Sequence, residues 1–150
     1  MVLKLKQYVT QKDIEVTVTY PVRNRVVEKI VSLLKTIDEK IECYVEDGVK
    51  LINISDIHYI ESVEKTGVIF CENERYRTNF RLYQLHEKLA DKGFVQISKY
   101  CILNINKLDR IRPLFNSRME AVLSNGSQLF VTRKYLTGIK QKLQEIKKYE

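Results

Sequence analysis

"IECYVEDGVKLINI" (residues 41–54) decides the fold class of this chain. Ahead of it, apolar residues recur at helical spacing: Val22, Val26, Ile30, Leu33, Leu34, Ile37 and Ile41. Within it the period drops to two. Two alternating runs flank Asp47-Gly48, the pattern of a β-hairpin. The short period then persists. "DIHYIESVEKTGVIFCENERYRTNF" (56–80) reads as strands broken at Lys65-Thr66-Gly67 and at Glu72-Asn73. One helix interrupts them over 81–91, with Leu82, Leu85 and Leu89 on one face and Gly93 as its stop.

Farther along, "GFVQISKYCILNINKL" (93–108) holds two apolar runs separated by Ser98-Lys99-Tyr100. A lysine and two hydroxyls between core-bound strands make an exposed polar tip. "KLDRIRPLF" (107–115), a turn at "FNSRM" (115–119) and "EAVLSNGSQLFV" (120–131) complete the strands, with Asn125-Gly126 as a two-residue hairpin turn. Thr132 is placed to cap a last helix over 133–148. Leu136, Ile139, Leu143 and Ile146 form its inner face, and Lys134, Lys140, Lys142, Lys147 and Lys148 its other faces.

Upstream, the β-branched alternation of "IEVTVTY" (14–20) predicts a strand, and Pro21 is placed in the first turn of a helix over 22–41. The expected architecture is therefore α+β and mostly β. A strand–helix extension (1–41) precedes an antiparallel β unit (42–150) with one short and one C-terminal helix. No Gly/Ser linker separates them, so they are expected to pack together.

Composition fits one globular unit of 150 residues, 44% hydrophobic and 30% charged. No apolar run approaches the roughly 18 residues of a membrane helix, and no secretory leader is evident, so the expected location is cytoplasmic. Cys43, Cys71 and Cys101 form no C-x-x-C pair and sit in strand-like segments. They read as reduced core thiols, with redox sensing the minor alternative. No metal or cofactor is expected. Charge is uneven. Residues 1–98 carry 15 Lys+Arg and 15 Asp+Glu, whereas residues 99–150 carry 11 against 4. A one-sided basic excess suits a polyanion partner.

Catalytic signatures are absent. The sequence holds no H-E-x-x-H, G-x-S-x-G, G-x-G-x-x-G or Walker pattern. His58 opens a strand, His86 borders the apolar face of a helix, and Glu46-Asp47 belongs to a hairpin turn. Not an enzyme, and no small-molecule substrate, is the reading that follows. Four loops combine cations, hydroxyls or amides instead: Lys65-Thr66-Gly67, Ser98-Lys99-Tyr100, Asn116-Ser117-Arg118 and Thr132-Arg133-Lys134. Arg and Lys reach guanine O6 and N7, while hydroxyls and helix starts hold phosphates. Each loop alone is also what a solvated turn looks like. No pair of helices is arranged as a helix-turn-helix, so contacts to DNA would come mainly from loops.

The order and spacing of "INISDIHYIESVEKTGVIF" (52–70), "YRTNFRLYQLHEKLADKGFVQISKYCILNINKLDRI" (76–111) and "LSNGSQLFVTRKYLTGIKQKL" (123–143) resemble the LytTR DNA-binding domain. The matching pieces are Tyr59-Ile60-Glu61, Leu82/Leu85/Leu89, Phe94 to Asn104, Asn125-Gly126 and Thr132-Arg133-Lys134-Tyr135. The resemblance implies a mostly β fold that lays loops into successive major grooves of double-stranded DNA, on direct repeats near promoters. It assigns contacts to Lys65, Thr66 and Gly67, to Ser98, Lys99 and Tyr100, and to Arg133 with Lys134; Asn116, Arg118 and Thr132 join them on their chemistry. Gly67 stands where some members carry a base-reading side chain, and Ser98 where histidine is commoner. Residues 1–40 are too short for a receiver domain, so the chain is similar to a stand-alone subgroup that often works beside a membrane-protein partner. The 22–41 helix would then cover the sheet, support self-association or dock a regulator. The expected function is a sequence-specific transcriptional regulator. A protein-interaction module or antiactivator of the same fold is the alternative, and an RNA-binding variant is third.

Overall fold

The computed structural model describes residues 1–37 and 39–147. Residues 1–24 form no helix or strand. The strand expected over 14–20 is therefore not formed within this chain. A strand requires a partner edge, and Ile14, Val16 and Tyr20 remain exposed. The first helix, α1, spans Arg25–Thr36 and is shorter than expected at both ends. Asn24 sets its start: the Asn24 side chain accepts from the Val27 amide at 3.0 Å. Pro21 consequently lies outside the helix. At the other end Ile41 leaves the helical stripe and enters the sheet as a fully buried strand residue.

Ten strands follow, β1 Lys40–Val45, β2 Gly48–Asn53, β3 Tyr59–Val63, β4 Thr66–Phe70, β5 Arg75–Arg77, β6 Phe94–Ser98, β7 Cys101–Asn104, β8 Leu108–Pro113, β9 Met119–Leu123 and β10 Gln128–Val131. Helix α2 (Leu82–Leu89) separates β5 from β6, and α3 (Leu136–Lys147) closes the chain. The first seven strands make one sheet in the order β2-β1-β5-β4-β3-β7-β6, and the last three make a second, β10-β9-β8. All neighbours are antiparallel.

Turn positions differ from the sequence reading in detail. Val45 pairs with Gly48, so the first turn is Glu46-Asp47 and Gly48 already belongs to β2. Val63 pairs with Thr66, so the next tight turn is Glu64-Lys65, with both residues at positive φ. That is the backbone a two-residue hairpin of primed type requires. The last hairpin is not a two-residue turn. Ser124–Ser127 form a four-residue loop in which Gly126 has φ +87° and the Asn125 side chain accepts from the Ser127 amide.

Period-two burial builds two cores on opposite faces of the large sheet. Ile41, Cys43, Ile60, Ile69 and Ile102 meet Leu82, Leu85 and Leu89 of α2 on one face. Cys101 and Leu103, with Tyr59 and Val95, meet Ala121, Leu123, Leu129, Val131 and Ile139 on the other. The small sheet and α3 therefore cover only the β3-β7-β6 half of that second face. Asn104, buried between the layers, donates to the Ile57 carbonyl at 2.7 Å. Helix α1 is tied to the body: the Asn106 side chain donates to Ser32 Oγ at 2.7 Å, Lys92 pairs with Glu39, and the Ile54 amide donates to the Glu39 carbonyl at 3.0 Å. These contacts join residues 25–39 to the 3-10 turns between the β strands. The side chains of Ile146 and Lys147, and Lys148 entirely, lie outside the described side chains.

Cys43, Cys71 and Cys101 are free thiols. Burial pushes Cys43 and Cys71 up to about 11 and Cys101 up to about 12. His58 is buried with Nε2 3.1 Å from the Glu72 carboxylate, its amide donating to Phe70 O and its carbonyl accepting from Asn104.

Candidate nucleic-acid interface

Strand direction brings the predicted loops to one end of the molecule. β3 runs toward the Glu64-Lys65 turn, and β6 runs toward Lys99-Tyr100. The Ser62 amide donates to the Tyr100 carbonyl at 2.8 Å, which sets these two hairpin tips side by side. The Thr132 amide donates to the Ile97 carbonyl at 2.9 Å, which places the start of the last helical segment against the second tip. In the small sheet Pro113 pairs with Met119 and Met119 with Val131, so the loop between β8 and β9 closes beside Thr132. One backbone chain of pairings thus links all four segments.

Local geometry determines what each loop presents. Lys65 is exposed at the apex of its turn, with Thr66 half-buried below it and its Oγ1 donating to the Val63 carbonyl. Gly67 departs from the loop reading. It lies within β4, buried, with its amide donating to the Phe80 carbonyl at 2.8 Å and its carbonyl accepting from Thr78. A Cβ there would come within 2.4 Å of Leu85 Cδ1, and Leu85 is itself fully buried. Glycine is needed at this position so that α2 can seat on the sheet.

The second tip follows a bulge between Gln96 and Ser98. The Gln96 side chain donates to the Ser98 carbonyl at 3.0 Å, and Ser98 Oγ accepts from the Tyr100 amide at 3.3 Å. Half-buried Ser98 therefore braces the turn, while Lys99 and Tyr100 are exposed with the ammonium 5.4 Å from the ring centroid. A cation held against an aromatic face is a partly ordered one.

Thr132, Arg133 and Lys134 are all exposed. Thr132 makes no side-chain cap, and a single 3-10 turn, Arg133–Tyr135, precedes α3. The Thr132 hydroxyl turns instead toward the Ile97 carbonyl. Lys134 lies 5.7 Å from the centroid of Tyr135, and Ile139 anchors the helix behind them. In the fourth loop the Leu114 amide donates to the Arg118 carbonyl at 2.7 Å, and exposed Asn116 has φ +66°. Arg118 is exposed there as well. This loop also carries Phe115, 93% exposed, which the sequence reading did not single out. Only its place at a chain reversal, beside polar neighbours, could have marked it.

The basic excess divides between two places. Lys99, Arg118, Arg133 and Lys134 stand at the loop end. Arg110, Lys140 and Lys142 line a groove of about 670 Å³ between α1, β8 and α3, together with Lys29 and the acids Glu28, Asp91 and Asp109. Among the described residues no cluster of His, Cys, Asp and Glu could hold a metal ion, and no helix is long and apolar enough to cross a membrane.

The profile of the LytTr DNA-binding domain matches residues 47–144. The chain belongs to the LytTR family. Its relatives include the sensory transduction protein LytT of Bacillus cereus, 28% identical over 144 residues, which cover 95% of this chain and 55% of that protein. A second LytT, from Enterococcus faecalis, is 32% identical over 98 residues, 65% of this chain and 40% of the relative. The chain thus spans about half the length of these relatives. It also matches an uncharacterized HTH-type transcriptional regulator of Staphylococcus aureus, 25% identical over 145 residues, covering 94% of this chain and 98% of that one. Among solved structures, the LytTr DNA-binding domain of a methyl-accepting/DNA response regulator from Bacillus cereus aligns with a TM-score of 0.66. It is 20% identical and covers 71% of this chain and 97% of its own. The LytTR fold is thus the one the strand order builds here. Helix α2 is flanked by strands and buries Leu82, Leu85 and Leu89, so among the described residues it forms no helix-turn-helix with another helix.

Proposed function

We propose that this LytTR domain is a transcriptional regulator that reads double-stranded DNA in a sequence-specific way. The loop end enters the major groove. Lys65 with Thr66, Lys99 with Tyr100 and Ser98, Arg133 with Lys134 and Thr132, and Arg118 with Asn116 supply the contacts. The observation that carries this reading is the convergence of these segments through the Ser62–Tyr100 and Ile97–Thr132 backbone bonds. The turn of β3 and β4 lies two strand spacings from that of β6 and β7. Two spacings are about 10 Å, comparable with the roughly 12 Å width of the major groove. Arg133, at the start of the last helical segment, is assigned a base contact, while Lys65, Lys99 and Lys134 act on phosphates or guanine edges. Ser98 supports the tip, so its hydroxyl reaches a phosphate more readily than a base.

Selection of binding sites from random duplexes tests this directly. A recurrent motif is expected, and Arg133→Ala should then lose about 1–3 kcal/mol on that motif and relax its sequence preference. Failure to retain any duplex would instead favour a protein-interaction module on the same fold, and equal retention of all sequences would leave a phosphate-binding domain without sequence specificity.

A further inference from the structure

The N-terminal segment and one sheet edge are complementary in a way the DNA reading does not use. β2 pairs only with β1 among the described residues, so its outer edge is open. The face beside that edge is the half left bare by the small sheet. Val49 and Leu51 are each 55% exposed there, next to exposed Tyr44. Open apolar edges are templates for another strand. Residues 14–20 have the pattern of such a strand and pair with none in this chain: Ile14 is 87% and Val16 59% exposed, with Val18 half-buried.

We infer that residues 14–20 of one copy add to the β2 edge of a second copy, reciprocally, so that a two-fold dimer forms by exchange of N-terminal arms. The match is specific. With Ile14 and Val16 on the face of Val49 and Leu51, Glu15 falls on the opposite face with Lys50, a pairing of opposite charge. Main-chain bonds supply affinity in such additions and the alternate side chains supply register. Reach favours a second copy over the same chain. The Asn53 end of β2 abuts the C-terminal end of α1 through the Ile54–Glu39 bond. The arm leaves from the N-terminal end of that helix, about 18 Å away for its length. Residues 21–24 span about 14 Å at full stretch and would have to double back along it. Exchange is isologous and closed, as a two-fold interface must be. β2 is also the edge opposite β6, so the loop end stays free in the dimer.

Sedimentation of the full chain should give twice the 17.8 kDa chain mass. Val16→Pro, in a segment without secondary structure, and Leu51→Lys, at an exposed site, should each return it to one chain mass with unchanged circular dichroism. Chains carrying Val16→Cys, mixed with chains carrying Leu51→Cys and oxidised, should form a mixed disulfide between chains. A monomer across the micromolar range would overturn the inference. So would a dimer that both substitutions leave intact, or a cross-link formed only when both cysteines share one chain.

Discussion

Gly67 shows how a residue beside a loop can be held by packing instead of by the loop's needs. Next to Lys65 and Thr66 a glycine reads as loop flexibility. Its actual constraint is Leu85 Cδ1, close enough that no Cβ fits. Gly67→Ala should therefore destabilise the protein by about 1–3 kcal/mol, as overpacking does. Urea unfolding measures that, and an unchanged midpoint would contradict the packing account. The thiols give a second residue-scale expectation. Folded Cys43, Cys71 and Cys101 hold their protons up to about 11, 11 and 12, whereas unfolded thiols ionise near 9.0. Above pH 9 the unfolded state therefore binds fewer protons, and stability falls as pH rises toward 11. Cys101→Ala should flatten that alkaline decline in pH-dependent melting; an identical slope would show that other groups cause it. Buried contacts of this kind cannot be read from sequence because they depend on which element is laid over which.

Elements were largely legible where periodicity is strong. The switch of period at residue 41, the helix around Leu82, Leu85 and Leu89, and the Lys99-Tyr100 tip all appear where the pattern places them, while Ser98 belongs to the strand below that tip. Errors collect at turns and ends, where local competition decides. Asp47-Gly48 and Asn125-Gly126 carry hairpin chemistry, yet pairing shifts the first turn by one residue and opens the second into a longer loop. Thr132 has the chemistry of a cap but its hydroxyl is turned to the Ile97 carbonyl, and Asn24 caps where Pro21 was expected to start the helix. The 14–20 alternation forms no strand in this chain, because pattern alone does not supply a partner edge. At this scale α2 is the element on which the first core closes. Leu85→Ala should cost about 2–5 kcal/mol, the usual range for a fully buried leucine. Chemical denaturation checks it, and a loss below that range would mean that α2 is peripheral to the core.

At the scale of the molecule, sequence charge predicted a polyanion partner but not where it would lie. Net positive charge from residue 99 onward is split by the fold, part to the loop end and part to the groove lined by Arg110, Lys140 and Lys142. Which loops share an end also stayed hidden, because it depends on strand order: β3, β6 and β10 all point one way although far apart in sequence. The central claim is that this end holds the phosphates and bases. Its most direct measurement is the salt dependence of duplex binding for the parent chain and for Lys99→Ala, Arg133→Ala and, as a control in the groove, Lys140→Ala. Log affinity should fall steeply with log salt, and the slope should drop by about 1 for each phosphate contact removed. Reduced slope or affinity for Lys99→Ala and Arg133→Ala, with Lys140→Ala unchanged, is the predicted result. Loss at Lys140 with the loop variants unaffected would move the interface to the groove and contradict the account.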